Sequence, residues 1–417
     1  MKILYLCHRF PFPPKRGGKI RPFNMIQHLS RAHEVSVVSL TRSAQEAEEG
    51  RGIAPYCHHF EMARVRNSVQ MLRMVGRLPT TTPSSFGYFH SPAFASAVRR
   101  LLAQQTFDLI FVHCSSVARY VDHVTDTPKI LDFGDMDSQK WIEYGQRKPW
   151  PVSLGYRLEG AKLVAEEKRL AGRFDLCTAT TRAEWGTLES YGTGAATDWF
   201  PNGVDSTYFA PDASAYDADT LCFVGRMDYF PNQDCMFDFC RNTFPLIRAQ
   251  RPQAKLLIVG ADPTPAIRAL GSLPGVTVTG SVADVRPYLR QSAAMIAPLR
   301  IARGTQNKIL ESMAAGVPVI TSNVAAGGVD AVASEHLIVA DGPDALAAAA
   351  VRVMGDAAER ARLARSGRER MLSHHAWESS MRRLDGIIAG CLGGAGDRAH
   401  RRPIAAATQA MEGTTAP

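Results

Sequence analysis

Residues 298–321, PLRIARGTQNKILESMAAGVPVIT, decide how the chain is read. An apolar run ends at Pro298, a loop carrying Arg300, Arg303 and Gly304 follows, a helix is expected from Gln306 or Asn307, Gly316 ends it, and Pro318 opens the next strand. The start of such a helix offers unpaired N–H groups and the positive end of its dipole. Gly304 lets backbone come close, and Lys308 adds a cation, so the stretch predicts a diphosphate site that needs no metal. Glu311 lies three residues after Lys308 on the same helical face, within reach of sugar hydroxyls. The same two residues also fit a solvated ion pair on an amphipathic helix, and the stretch alone leaves both readings open.

Outward from this stretch, short aliphatic or β-branched runs alternate with helix-length segments, the pattern of parallel βαβ units. Strands are expected at residues 2–7, 34–40, 108–113, 129–133 and 175–180 in one half, and at 220–225, 255–260, 276–279, 293–298, 317–321 and 336–340 in the other. The turn-rich segment 199–212, WFPNGVDSTYFAPD, separates them, with Asn202-Gly203 expected to supply dihedrals that other residues resist. The fold class that follows is α/β, two Rossmann-like doubly wound domains facing each other across a cleft. Boundaries are expected at 1–200 and 201–375, with a helix over 376–392 packing back on the first domain and a disordered tail over 393–417.

At 417 residues, with 45% hydrophobic and 21% charged residues, the chain is long enough for two cores and too apolar for global disorder. Residues 312–329, the longest charge-free run in the second half, hold Gly, Pro, Ser, Thr and Asn and do not make a bilayer span, and residues 3–7 are too short for the apolar core of a secretory signal. A cytoplasmic protein is expected. The eight cysteines form no C-x-x-C pair and read as reduced core thiols. The net charge of +8 permits an anionic partner. Nucleic acid is disfavoured, because the arginines are not interleaved with aromatics.

In the first half, His113 ends one expected strand, and Asp132, Asp135 and Asp137 lie at and after the end of another, where parallel strands aim side chains at ligands. His113 reads either as a catalytic group or as a satisfied core histidine. The aspartates read either as base or hydrogen-bond acceptors or as a capping loop before Ser138. Between Glu61 and Asp108 there is no acidic residue, while Arg64, Arg66, Arg73, Arg77, Arg99 and Arg100 all fall there. Met62, Val65, Val69 and Leu72 recur at helical spacing, so this stretch reads either as a basic amphipathic helix on an anionic membrane or as a core-facing helix with a solvated back.

NKILESMAAGVPVI strongly resembles the nucleotide-binding signature of family 4 glycosyltransferases of the GT-B fold, and PKRGGKIRPFNMIQHLS, PNGVDSTYF and FVGRMDYFPNQD fall where that resemblance requires them. It covers about residues 1–392. More narrowly, LDFGDMDSQKW with MDYFPNQD and PLRIARGTQNKILE looks like the sugar transferases of PEP-CTERM/exosortase exopolysaccharide clusters. The resemblance implies that Gly17 and Gly18 open a helix near donor phosphates and acceptor, that Arg226 and Lys308 neutralise the diphosphate, that Asn307 and Gly304 belong to the same phosphate-binding helix start, and that Glu311 holds the ribose. The loop Gly280-Ser281-Val282 would meet the base. Asp135-Met136-Asp137 has the spelling of a metal site but lies in the wrong domain for one, so no metal and no cofactor are assigned.

Two departures stand out. Arg303 occupies the place of the family's first glutamate, and the lysine expected six or seven residues after Gly225 is missing, the chain reading Phe230-Pro231-Asn232. The resemblance implies transfer, generally retaining, from a nucleotide diphosphate sugar to a polyprenyl-diphosphate-linked or other saccharide acceptor, with an anionic membrane surface as a further partner and the protein peripheral on the inner face of the cytoplasmic membrane. A sugar-nucleotide 2-epimerase of the same architecture and an inactive nucleotide-binding scaffold are the alternatives.

Overall fold

A computed structural model describes residues 1–14, 17–212 and 215–401. The chain divides into two compact units. The first comprises Met1–Ala179, Trp185–Phe200 and the chain from Met381 onward, and the second Thr180–Glu184 and Pro201–Ser380.

The first unit is built on a seven-stranded sheet of β1 (Lys2–Cys7), β2 (Glu34–Thr41), β3 (His59–Arg64), β4 (Leu109–His113), β5 (Lys129–Gly134), β6 (Leu176–Ala179) and β7 (Ala196–Trp199), in the order β3-β2-β1-β4-β5-β6-β7 with every pairing parallel. β1 and β4 read as unbroken apolar runs because a central parallel strand is covered on both faces. The edge strands β3 and β7 were not expected from the sequence. HFEMAR and ATDW are half-exposed and mix polar with apolar residues, which leaves no continuous run to detect. β3 also corrects the helix expected from Met62, for the chain is a strand to Arg64 and turns helical only at Asn67–Gly76.

The second unit repeats the plan with β8 (Asp217–Val224), β9 (Lys255–Val259), β10 (Val276–Gly280), β11 (Ser292–Ala297), β12 (Val319–Thr321) and β13 (Ile338–Val339), in the order β10-β9-β8-β11-β12-β13, all parallel. Both sheets therefore reverse strand order beside their first strand, at β1/β4 and at β8/β11. Helices leave in opposite directions at such a point, so the ends of these strands are where ligands bind in doubly wound sheets.

The closing helix runs Trp377–Arg401, past the expected end at residue 392, so the first part of the segment expected to be disordered is helical; residues 402–417 lie outside the described residues. Within the first unit this helix buries Met381, Leu384, Ile387, Ile388 and Cys391, and it is held by Asp385 to His28 at 2.9 Å and by Arg383 to Asp198 at 2.8 Å. Gly203 is needed for a reason other than the one expected. Neither it nor Asn202 has a positive φ; instead, a Cβ on Gly203 would lie 2.5 Å from the Trp377 ring, so the indole fixes the residue. The cysteines are all free, seven of them buried and Cys57 half-buried. No helix among the described residues is long and apolar enough to cross a membrane.

Candidate active site

In the second unit β11 ends at Ala297 and the loop after it leads into the helix Asn307–Ala314. Gly304 makes the turn with φ +61°, a conformation costly to residues with a Cβ. Gln306 caps the helix without a side-chain hydrogen bond to its first N–H groups, turning its amide back to the carbonyl of Arg303 at 3.1 Å. Beside that open end, Thr305 Oγ1 and Asn307 Oδ1 are buried without a hydrogen-bond partner among the described residues. Buried polar atoms are rarely left so unless a ligand or water completes them.

Lys308 lies one step into this helix. Its ammonium donates to Asn232 Oδ1 at 2.6 Å and sits 4.3 Å from the centre of the Phe223 ring. It reaches the end of β8, where a Cβ on Gly225 would be 3.2 Å from Nζ. Asn232 in turn donates from Nδ2 to the carbonyl of Arg226 at 2.8 Å, tying the β8 loop to the lysine. Asn232 was missed in the sequence, although it stands seven residues after Gly225, where the absent lysine was looked for. The amide at that place aims the remaining cation.

Desolvation pushes the Lys308 ammonium down to about 8 and the Glu311 carboxyl up to about 7, each partly offset by the opposite charge of the other. Glu311 has no hydrogen-bond partner among the described residues. The two do share one helical face, but they form a desolvated pair with an unmet carboxylate and not a solvated surface salt bridge.

The arginines of this unit are engaged elsewhere. Arg226 follows β8 directly, yet its guanidinium is held by Asp228 at 2.6 Å and by Asp262 at 2.7 Å. Arg300 forks onto Asp234 and Asp238 of the helix Phe230–Asp238. Arg303 is partly buried, with Nη1 3.8 Å from the buried carboxylate of Glu184, so it does not simply point to solvent. Gly280 ends β10 with φ +72° and opens the loop expected at the base.

In the first unit the reversal point carries a closed network. Asp132 on β5 is fully buried and accepts two hydrogen bonds of 3.0 Å from Arg21, one of 2.9 Å from Thr178 Oγ1, and one of 2.7 Å from His113 Nδ1. Burial alone would raise its pKa, but Arg21 and His113 outweigh burial and hold the carboxyl well below the usual range. Asp132 is thus an anion at every working pH and not a base. Its charge requires Nδ1 of His113 to be the protonated nitrogen, which leaves Nε2 as the nitrogen without a partner among the described residues. Arg21, which the sequence reading missed, also stacks 3.7 Å above the Phe200 ring and donates to the Phe200 carbonyl at 3.0 Å.

A second unexpected residue is His8, directly after β1, whose ring lies 6.0 Å from that of His113. Burial lowers its pKa well below the usual value and keeps it neutral. Of the three aspartates, only Asp132 joins His113. Asp135 is exposed, and Asp137 begins the helix Asp137–Arg147. The start of that helix is not capped by an aspartate, for Glu167 accepts from Ser138 N at 2.9 Å and from Ser138 Oγ at 2.6 Å, its own carboxyl pushed up to about 7 by burial. Gly17 and Gly18 open the helix Gly17–Leu29, where Arg21 turns inward one turn later.

Two parallel sheets with reversed strand order, one ending at an uncapped helix that carries Lys308 and Glu311, define an α/β protein of two Rossmann-like units. Comparison with protein families agrees: residues 16–208 match Glycosyltransferase Family 4, and residues 218–356 match Glycosyl transferases group 1. The chain belongs to the family 4 glycosyltransferases of the GT-B fold and is a glycosyltransferase enzyme. Among solved structures it is similar to sucrose-phosphate synthase from Thermosynechococcus elongatus, at 17% identity and TM-score 0.68, covering 94% of this chain and 100% of that one. HepE of Anabaena in complex with UDP is similar at 15% identity and TM-score 0.66, with coverages of 94% and 100%. The UDP-forming α,α-trehalose-phosphate synthase of Burkholderia vietnamiensis follows at 12% identity and TM-score 0.62, with coverages of 94% and 99%. Comparison with curated proteins finds no match.

Proposed function

We propose that this glycosyltransferase moves a sugar from a nucleotide diphosphate sugar to a lipid-linked saccharide in exopolysaccharide assembly, on the cytoplasmic face of a membrane and with retention of configuration. The observation that carries the donor assignment is the start of the helix Asn307–Ala314, uncapped, with two buried polar atoms that have no partner among the described residues and an amide-aimed Lys308. Helix N–H groups and Lys308 would bind the diphosphate, and Glu311 would accept from ribose hydroxyls. HepE, a structural neighbour, has been solved with UDP and with UDP-glucose, which supports a uridine donor as the first to try.

In the proposed reaction the bond from the anomeric carbon to the diphosphate oxygen breaks, its electron pair leaves with the nucleoside diphosphate, the acceptor oxygen bonds to the carbon, and the acceptor proton passes to the leaving phosphate. Lys308 and the helix start stabilise the departing charge, the kind of electrostatic contribution that is usually largest. Arg226 would join them by exchanging Asp228 or Asp262 for phosphate. His113, held by Asp132, would present Nε2 to a hydroxyl of the reacting sugar. The exopolysaccharide role and the lipid-linked acceptor rest on the resemblance of LDFGDMDSQKW and its companion stretches.

The test is calorimetric binding of UDP and UDP-sugars, followed by diphosphate release with and without membrane extract. Release that requires the extract supports the proposal. Nucleotide-sugar isomerisation with no acceptor would assign the epimerase alternative, and binding with the donor left intact would assign the scaffold.

A further inference from the structure

The helix Asn67–Gly76 is patterned in reverse for a helix that packs on a core. Its buried residue is Gln70, 1% exposed, whose Nε2 donates to the carbonyls of Tyr88 at 2.6 Å and His90 at 2.9 Å. Leu72 is 74% exposed, and Val69, Met71 and Val75 are exposed with it. A polar side chain has been buried and its bonds met while the apolar face is left in water, which is unfavourable unless something covers that face. The core-facing alternative is therefore excluded.

A second segment shows the same inversion. Between the helices Asp137–Arg147 and Val152–Ala171, Trp150 is 81% exposed, and Leu154 and Leu158 follow on the exposed side of the second helix. The two segments are joined within the first unit. Lys162 donates from Nζ to the carbonyls of Arg77 at 3.3 Å and Leu78 at 2.8 Å, and Leu158 lies one turn before Lys162 on the same face. Glu159, beside Leu158, is buried and accepts from the backbone N–H groups of Ser84 and Ser85 at 2.9 and 2.8 Å, so its charge is consumed inside.

Charge identifies what covers the surface. Residues 62–107 contain no acidic residue, and neither do residues 144–158, whereas Arg64, Arg66 and Arg77 lie in the first stretch and Arg147 and Arg157 in the second. Exposed leucine, valine and tryptophan in stretches whose charged residues are all cations match a bilayer with anionic headgroups. Hydrocarbon accepts the aliphatic side chains, the headgroup boundary suits an indole, and lipid phosphates meet the guanidinium groups. We infer that the helix Asn67–Gly76 and the segment around Trp150 form one surface that seats on an anionic phospholipid bilayer, with Leu72 and Trp150 entering the headgroup–acyl boundary. This inference rests on the proposed membrane-side acceptor and names the residues that bring the enzyme to it.

Full-length protein is to be floated with vesicles of phosphatidylcholine alone and of phosphatidylcholine with phosphatidylglycerol, alongside the variants Leu72→Ser/Trp150→Ser and Arg66→Gln/Arg77→Gln/Arg157→Gln. The wild type is expected to float with the anionic vesicles and to be released by salt. Both variants should lose about tenfold or more in partitioning, with melting temperature and UDP binding unchanged. Absence of wild-type flotation at low salt, or equal flotation of the variants, overturns the inference. So does a stable dimer that Leu72→Ser/Trp150→Ser converts to monomer, which would give the surface to a second copy. UDP binding in the same preparations separates the two proposals: flotation without UDP binding removes the donor reading alone, and UDP binding without flotation removes the docking surface alone.

Discussion

The two strand-order reversals of this molecule are treated in opposite ways. At β1/β4 the buried carboxylate of Asp132 is satisfied from within, with Arg21, Thr178 and His113 all donating to it. At β8/β11 the side chains are left short: among the described residues Thr305 and Asn307 have buried atoms without partners, Glu311 has no donor, and Lys308 has one amide and the Phe223 ring. Burying charge is costly in both places, and only the first meets the cost internally. A closed network holds a side chain still, here His113, whereas an open one has polar atoms left for a ligand or water to complete. The same fold thus holds a closed polar network in one unit and, in the other, the open one to which the proposed function gives the donor.

The contrast is broken most severely by Asp132→Ala. This leaves Arg21 buried without its carboxylate, and removing one partner of a buried pair costs about 3–5 kcal/mol. Thermal denaturation should show a large loss of stability, while any protein that remains folded keeps its nucleotide affinity. A melting temperature like that of the wild type would show that the network is not what holds this region together. Next in size, Lys308→Ala should leave the melting temperature nearly unchanged and weaken UDP binding by roughly 1.5–3 kcal/mol, the usual value of a hydrogen bond to a charged group. Unaltered affinity in calorimetry would move the diphosphate away from this helix.

The smallest effect is a pH dependence confined to the open site. In the proposed role Glu311 accepts from hydroxyls most strongly when ionised, above its pKa of about 7, and Lys308 carries charge only below its pKa of about 8. Donor affinity should therefore fall as pH drops through 7 and as it rises through 8. Glu311→Gln should remove the acidic limb and keep the alkaline one. A profile flat from pH 6 to 9 would show that neither group titrates against the donor.

What the sequence determined by itself was whatever depends on near neighbours. The central strands were legible because burial on both faces demands unbroken apolar runs, and the helix start proposed to bind the diphosphate was legible as a motif because Gly304, Lys308 and Glu311 lie within one helical turn or two of each other. Tertiary structure decided the rest. β3 and β7, lying at edges, need no apolar run and left none. Asp132 meets Arg21 across 111 residues and His113 across 19, and no local spacing encodes such a meeting. Asn232 was visible only as a missing lysine until folding set it 2.6 Å from Lys308, 76 residues away. Met62, Val65, Val69 and Leu72 had the spacing of one apolar helical face, open to core or membrane, and only the burial of Gln70 showed which side of the helix Asn67–Gly76 faces inward, because periodicity identifies a face without saying what covers it.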